Sequence, residues 1–204
     1  MKKTDIASAQ LDELIYQALE TELGGVQVYE TALRCAVNDD LRKEWNEYLE
    51  ETRRHVQVVT RVFETLGLDT NTMTPGRKVV KHQGEALVQS MEMALAEGEP
   101  VAAELVACEC VVLAETKDHS NWELIGRVGE QGQGDTAKVL KAAYDSVEQD
   151  EDHHLYHTMG WCRELWIQSL GFPAVLPPPA EVRKVETAIG ASRAEQARDD
   201  MRKH

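Results

Sequence analysis

The sequence predicts an all-α protein: a four-helix bundle with one long crossover and a C-terminal extension. Three observations predict it. Apolar residues recur at three- and four-residue steps over four long stretches. Residues suited to starting and stopping helices punctuate those stretches. A lone glutamate, or a carboxylate one helical turn before a histidine, interrupts each apolar seam.

The first seam runs Leu11, Ile15, Ala18, Glu22, Val26, Tyr29, Leu33 and Ala36, and it places Glu22 on the face to be buried. Asn38-Asp39-Asp40 then suits a helix start, because short polar side chains accept from the unpaired amides of a first turn. The second seam is Leu41, Trp45, Tyr48, Thr52, His55, Val59, Val62 and Leu66, with Gly67 as a left-handed stop. Residues 68–100 are too long for a tight turn and serve as the crossover. Their first part, residues 69–76, reads as loop, and the stripe Leu87, Met91, Ala94 and Leu95 predicts a small helix over 83–96.

The third seam is Val101, Leu105, Cys108, Val112, Glu115, Trp122 and Ile125. The fourth runs Leu140, Tyr144, Val147, Glu151, His154, Thr158, Trp161 and Leu165, introduced by Asp135 and closed by Gly171 and Pro173. The expected organisation is therefore a bundle over 1–172 and, over 173–204, a Pro-rich spacer with a polar arm.

With 204 residues the chain can bury a full core, and no apolar run approaches the ~20 residues needed to span a bilayer. The start, Met1-Lys-Lys-Thr-Asp, lacks a signal-peptide core, so a soluble, cytoplasmic protein is expected. A net charge of -14 argues against nucleic acid and anionic membrane as partners and favours cations. Cys35, Cys108, Cys110 and Cys162 are scattered through helical segments and read as reduced, mostly buried thiols. Cys108-Glu-Cys110 has the look of a ligand pair, but at ~100° per residue its sulfurs point ~200° apart.

An ionised carboxylate inside a bundle costs several kcal/mol unless it is paired or holds a metal. The candidate ligands are Glu22, Glu51, His55, Glu115, Glu151 and His154. Four carboxylates, two neutral imidazoles and a pair of dications make a neutral cluster, and mixed oxygen and imidazole ligation suits iron or manganese. In the second helix the spacing is Glu51-x-x-x-His55, with Thr52 where a Glu-x-x-His motif has its acid, although i and i+4 still share a face. In the fourth helix Asp150 is the matching four-residue partner of His154, and Glu148 shares the face of Glu151. The acid there is open among Asp150, Glu151 and Glu148.

Each of these residues also has a plainer reading. A lone Glu in a seam is commonly a boundary residue with its head in water, and a lone His a helix-interface residue. Glu104 and Glu109 compete with Glu115 in the third helix, though Glu109 lacks flanking apolar neighbours at helical spacing. His119 is an extra ligand or a partner of one, His153 and His157 are surface or supporting groups, and Tyr29 and Trp122 are core aromatics or hydrogen-bond donors at the site.

Glu22-Leu-Gly-Gly-Val-Gln-Val-Tyr29 resembles the first-helix motif of bacterioferritins and rubrerythrins, and Glu115-Thr-Lys-Asp-His-Ser-Asn-Trp122 repeats its spacing. Glu151-Asp-His-His154 is similar to their Glu-x-x-His ligand motif. Glu50-Glu51-Thr52 and Phe63-Glu-Thr-Leu-Gly67 are also similar to YciF-like bacterial stress proteins. The resemblance covers about residues 8–170 and implies a ferritin-like fold with two iron ions, manganese being the alternative. It further implies an oxidoreductase that reacts with peroxide or dioxygen in stress or iron handling. With no Cys-x-x-Cys pair for a rubredoxin-like relay, the electron donor is expected to be external. A homodimer or small homo-oligomer is expected. The alternatives are metal handling without turnover, manganese catalase chemistry, or a purely structural bundle.

Overall fold

The computed structural model describes residues 8–179. Among them all regular structure is helical: α1 (Ser8–Cys35), α2 (Asp39–Leu66), α3 (Pro75–Ala96), α4 (Pro100–Gln131), α5 (Gly134–Asp145) and α6 (Glu148–Ser169). No helix among the described residues is long and apolar enough to cross a membrane.

Helix α1 packs on α2, α3 and α4; α4 packs on α5 and α6; and α2 meets α5 and α6. This closes a four-sided arrangement in which α5 and α6 together occupy one corner, while α3 lies outside against α1 and α4. The core divides into two apolar clusters. One joins Val28 to Ala36 of the α1 end, Leu41 to Leu49, Ala103 to Val111, and Trp161 with Leu165. The other joins Leu11 to Leu19, Val59 to Phe63, Trp122 with Ile125, and Leu140 to Val147. The start of α1 thus shares a cluster with the ends of α2 and α4 and with α5. Helices α2 and α4 therefore run opposite to α1, and the α5–α6 corner runs with it.

The connections follow from local chemistry. Asn38 caps α2, its side chain accepting from the Asp40 and Leu41 amides. Gly67, at φ 68°, ends α2 in the left-handed region, and the Leu68 amide donates back to Phe63 O. Gly171, at φ 82°, ends the last helix in the same way, as the spacing predicts. Helix α3 starts earlier than the apolar stripe indicates, at Pro75 rather than near residue 83. Thr74 accepts from the Arg77 amide and Pro75 occupies the first turn, a start signal inside a stretch that reads as loop. Arg77 is buried against Glu20 at 2.7 Å and donates to the carbonyls of Thr70 and Thr72, which ties the loop and α3 to α1.

The expected continuous fourth helix is broken at Ser146 and Val147. Ser146 Oγ donates to Ala143 O, and the Ser146 and Val147 amides take three-residue bonds to Ala143 O and Tyr144 O. A serine hydroxyl competing for a backbone carbonyl tightens the turn, and Val147 leaves the helical region at φ -129°. The break puts Glu148, Asp150 and Glu151 in the first turn of α6, where the helix dipole favours negative charge. Beyond α6, Glu164 accepts from the Val175 amide and Pro178 is buried beside Gly160, so the chain as far as Pro179 lies against α6. The polar arm expected beyond it lies outside the described residues.

The approach of α4 to α5 depends on missing side chains. A Cβ on Gly129 would lie 2.6 Å from the Lys141 backbone nitrogen, and one on Gly126 would lie 2.8 Å from the Tyr144 ring. Gly129→Ala is expected to destabilise the protein by about 1–3 kcal/mol in chemical denaturation. Gly24→Ala, with its nearest neighbour 3.9 Å away, should be neutral or gain up to about 1 kcal/mol of helix propensity. Equal losses at both positions would contradict the close contact assigned to α4 and α5.

Candidate metal centre

Between the two apolar clusters, at the middle of the bundle, lies a polar layer. Glu22 comes from α1, His55 from α2, Glu115 and Asp118 from α4, and Glu151 and His154 from α6, and all are buried. Glu22, His55 and Glu151 each offer a ligand-type atom within 4.8 Å of the others. His55 Nδ1 lies 2.9 Å from Glu151 Oε1 and 3.7 Å from Glu22 Oε1. Across the layer, His154 Nδ1 lies 3.7 Å from Glu115 Oε2, and the two imidazoles stack with centroids 5.7 Å apart.

The outer nitrogens of the two histidines are held reciprocally. His55 Nε2 on α2 meets Asp150 Oδ2 on α6 at 3.1 Å, and His154 Nε2 on α6 meets Glu51 Oε2 on α2 at 2.7 Å. Each of these acids stands four residues before the histidine on its own helix. Asp150 also pairs with Arg54. The hydrogen bond from His55 and the Arg54 charge keep its carboxyl below the ordinary range despite burial. An ionised carboxylate only accepts, so His55 Nε2 carries the proton and its Nδ1 presents a lone pair to the layer. Carboxylates behind the outer nitrogen are the usual support of metal-ligating histidines.

The glutamates are steadied by the same exchange. Tyr29 Oη of α1 donates to Glu115 Oε1 of α4 at 2.7 Å, and Trp122 Nε1 of α4 donates to Glu22 Oε1 of α1 at 2.7 Å. Each aromatic stands seven residues after the glutamate on its own helix. Five further atoms of the layer have no hydrogen-bond partner among the described residues: Glu22 Oε2, Glu115 Oε2, Asp118 Oδ1, Glu151 Oε2 and His55 Nδ1. His55 Nδ1 is near Glu151 in distance but is not aligned for a hydrogen bond. Five buried acceptors in one layer, each without a donor, are costly without a cation. Buried oxygen and imidazole acceptors of this type could hold metal.

Asp118 is missing from the expected ligand set, and Glu51 has a different place from the one expected. The Glu51 side chain is 32% exposed and sits outside His154 rather than in the layer. The reason is the four-residue step to His55, which points Glu51 toward α6, while Thr52, three residues before His55, turns its hydroxyl back to Tyr48 O. Asp118 supplies the fourth carboxylate. The buried seam of α4 is Glu104, Cys108, Val111, Glu115, Asp118, Trp122 and Ile125, an unbroken alternation of four and three. A seam that runs through Val112 instead alternates from Glu115 to His119 and Trp122, and so passes over Asp118.

The other candidates have separate work. Glu104 Oε1 accepts from the Val37 and Asn38 amides at 2.6 Å and holds the α1–α2 turn. Glu109 accepts from Trp166 Nε1 at the surface, and Glu148 is exposed beside Tyr144. His119 pairs with Asp152 at 2.7 Å between α4 and α6 and does not enter the layer. The four cysteines are free thiols, and burial pushes Cys35, Cys110 and Cys162 up to about 11, away from the thiolate a metal needs. Comparison with protein-family models, curated proteins and solved structures gave no match to this chain.

Burial first, and mutual repulsion second, raise the carboxyls of Glu22, Asp118 and Glu151 well above the ordinary range. His154 moves up as well: burial opposes its charge, but the Glu51 hydrogen bond and the Glu115 and Glu151 charges outweigh that. A raised carboxyl means that the folded state binds more protons than the unfolded one. Its stabilising contribution is full below the unfolded value of about 4 and is lost as pH rises through the folded value. Chelator-treated protein is therefore expected to lose stability from about pH 5 toward pH 8, and Glu22→Gln should flatten that slope. Bound metal should reverse the sign, since protons then compete for the ligand atoms. Melting temperatures across that range, with and without metal, test both signs; a metal-free protein that gains stability toward pH 8 would contradict the arrangement.

Proposed function

We propose that this chain is a ferritin-like four-helix protein holding a dinuclear iron or manganese centre and acting as an oxidoreductase toward peroxide or dioxygen. The observation that carries this reading is the layer of buried, donorless acceptors, backed by two carboxylate-supported histidines. Glu22, Glu115, Asp118, Glu151, His55 and His154 would hold the metals, four negative charges against a pair of dications. The opposed run of α1 with α2 and α4, and the long connection between α2 and α4, support the ferritin-like reading of the bundle.

When bound, the metal pair supplies two-electron redox chemistry. The chain supplies position and surroundings. Asp150 and Glu51 fix the two imidazoles with Nδ1 inward, and Tyr29 and Trp122 fix one oxygen of each lone glutamate. The apolar clusters above and below keep the layer dry, which strengthens every charge interaction within it. Glu51 reaches the solvent edge while touching His154, and is the chain's own group for carrying a proton between water and His154 Nε2. Electrons for repeated turnover come from an external donor, consistent with the lack of a Cys-x-x-Cys pair.

Two experiments test the reading. Elemental analysis should find about two iron or manganese ions in the centre per chain. Asp118→Ala and Glu115→Ala should lose metal, while Glu51→Gln retains the ions with about 10- to 100-fold weaker affinity, as for loss of a supporting partner. Full retention by Asp118→Ala would remove Asp118 from the ligand set. Secondly, iron(II)-loaded protein should consume one round of peroxide and then stop until a reductant is added. Sustained peroxide dismutation by the manganese form without a donor would reassign the chemistry to catalase, and inert metal in both forms would reduce the function to metal holding.

A further inference from the structure

Outside the central layer, Glu44 of α2 and His153 and His157 of α6 bring three ligand-type atoms within 4.8 Å of one another. His153 and His157 stand four residues apart on one helical face, with ring centroids 4.9 Å apart. His157 Nδ1 lies 2.5 Å from Glu44 Oε1 and 3.2 Å from Tyr48 Oη. Its Nε2 lies 3.1 Å from Pro178 O, a carbonyl that can only accept. The proton of the neutral ring is therefore on Nε2, and Nδ1 turns a lone pair toward a carboxylate oxygen.

Two acceptors at that distance require a positive charge. A proton on Nδ1 would supply it as a simple ion pair, but that gives His153 no part and sets an imidazolium against a neighbouring imidazole. A metal ion engages all three side chains. We propose that Glu44, His153 and His157 form a mononuclear site for a divalent transition metal, separate from the central layer and independent of it. Two imidazoles and one carboxylate leave coordination positions open and suit zinc or iron(II).

The surroundings are those of a supported ligand set. Trp161 Nε1 donates to Glu44 Oε2 at 2.9 Å, and Tyr48 Oη donates to Glu44 Oε1. The Pro178 carbonyl behind His157 takes the place that Asp150 and Glu51 take behind the central histidines. Pro178 can sit there because Gly160 has no side chain; a Cβ at that position would come within 3.3 Å of the proline ring. His153 is only partly buried, which leaves the site an opening to solvent. Tyr48 touches both sites, its ring centroid 4.3 Å from that of His154, so the proposed site is one side chain from the central layer.

The test uses the full chain, stripped with chelator, titrated with zinc, dialysed and analysed for bound metal. Wild type is compared with His153→Ala, with Glu44→Gln, and with the central double variant Glu22→Ala/Glu115→Ala. The partly exposed His153 makes His153→Ala the variant that keeps its fold, which circular dichroism verifies. The expected result is loss of one zinc ion per chain, or affinity at one site weakened by at least about tenfold, in His153→Ala and Glu44→Gln. The central double variant should keep one zinc ion and lose it when His153→Ala is added. A single bound ion in wild type that His153→Ala removes would support this site while sinking the dinuclear reading. Unchanged zinc stoichiometry and affinity in His153→Ala, or a His157 ring still doubly protonated by NMR at saturating zinc, would overturn the proposal and leave an ion pair.

Discussion

The structure depends on one constraint, that four carboxylates are buried in a single layer at the centre of a helical bundle. Glu22, Glu115, Asp118 and Glu151 have almost no contact with water, and Tyr29 and Trp122 satisfy only one oxygen each on Glu115 and Glu22. Burial of that many like charges without compensation would oppose folding by several kcal/mol per group. The two apolar clusters, closed around Trp45, Trp161, Phe63 and Trp122, give the bundle the strength to hold the layer in place. The chemistry of the layer is set by what neutralises it.

The layer has the form of a repeated hairpin whose equivalence is broken at two positions. Glu22 with Tyr29 on α1 corresponds to Glu115 with Trp122 on α4, and Glu51 with His55 on α2 corresponds to Asp150 with His154 on α6. Every supporting hydrogen bond crosses from one half to the other. The equivalence fails one turn after the lone glutamate and one turn before the histidine. There the second half has Asp118 and Glu151, while the first half has Gly25 and Thr52, where a Cβ on Gly25 would lie 3.2 Å from Thr52 Cγ2. The first half thus closes by packing and the second half supplies both inner acids, which makes the two ends of the centre chemically unequal.

The helices were legible because their signals are local. Asn38, Gly67 and Gly171 act through backbone geometry within a turn of themselves, and the periodic seams of α1 and α2 need only the helix repeat. The start of α3 was not, because a buried arginine paired with Glu20 takes the place of an apolar residue at its first turn. The break at Ser146 depends on a hydroxyl choosing a backbone carbonyl, which polarity alone does not reveal. At the site, the glutamates of α1 and α4 and both histidines could be read from spacing. Asp118 could have been found from the strict alternation of threes and fours through Val111. The outer position of Glu51 is signalled by its four-residue step to His55, whereas its partner on the opposite helix, His154, is not legible from local spacing.

The central claim is that metal ions neutralise this layer with Asp118 inside it and Glu51 outside. The most direct measurement is a crystal structure of the metal-loaded protein with anomalous scattering recorded at the metal edge. Two anomalous peaks are expected within the layer, ligated by His55 and His154 through Nδ1, with Asp118 in contact and Glu51 still bonded to His154 Nε2. A layer without anomalous density at saturating metal, its carboxylates instead sharing protons, would contradict the account.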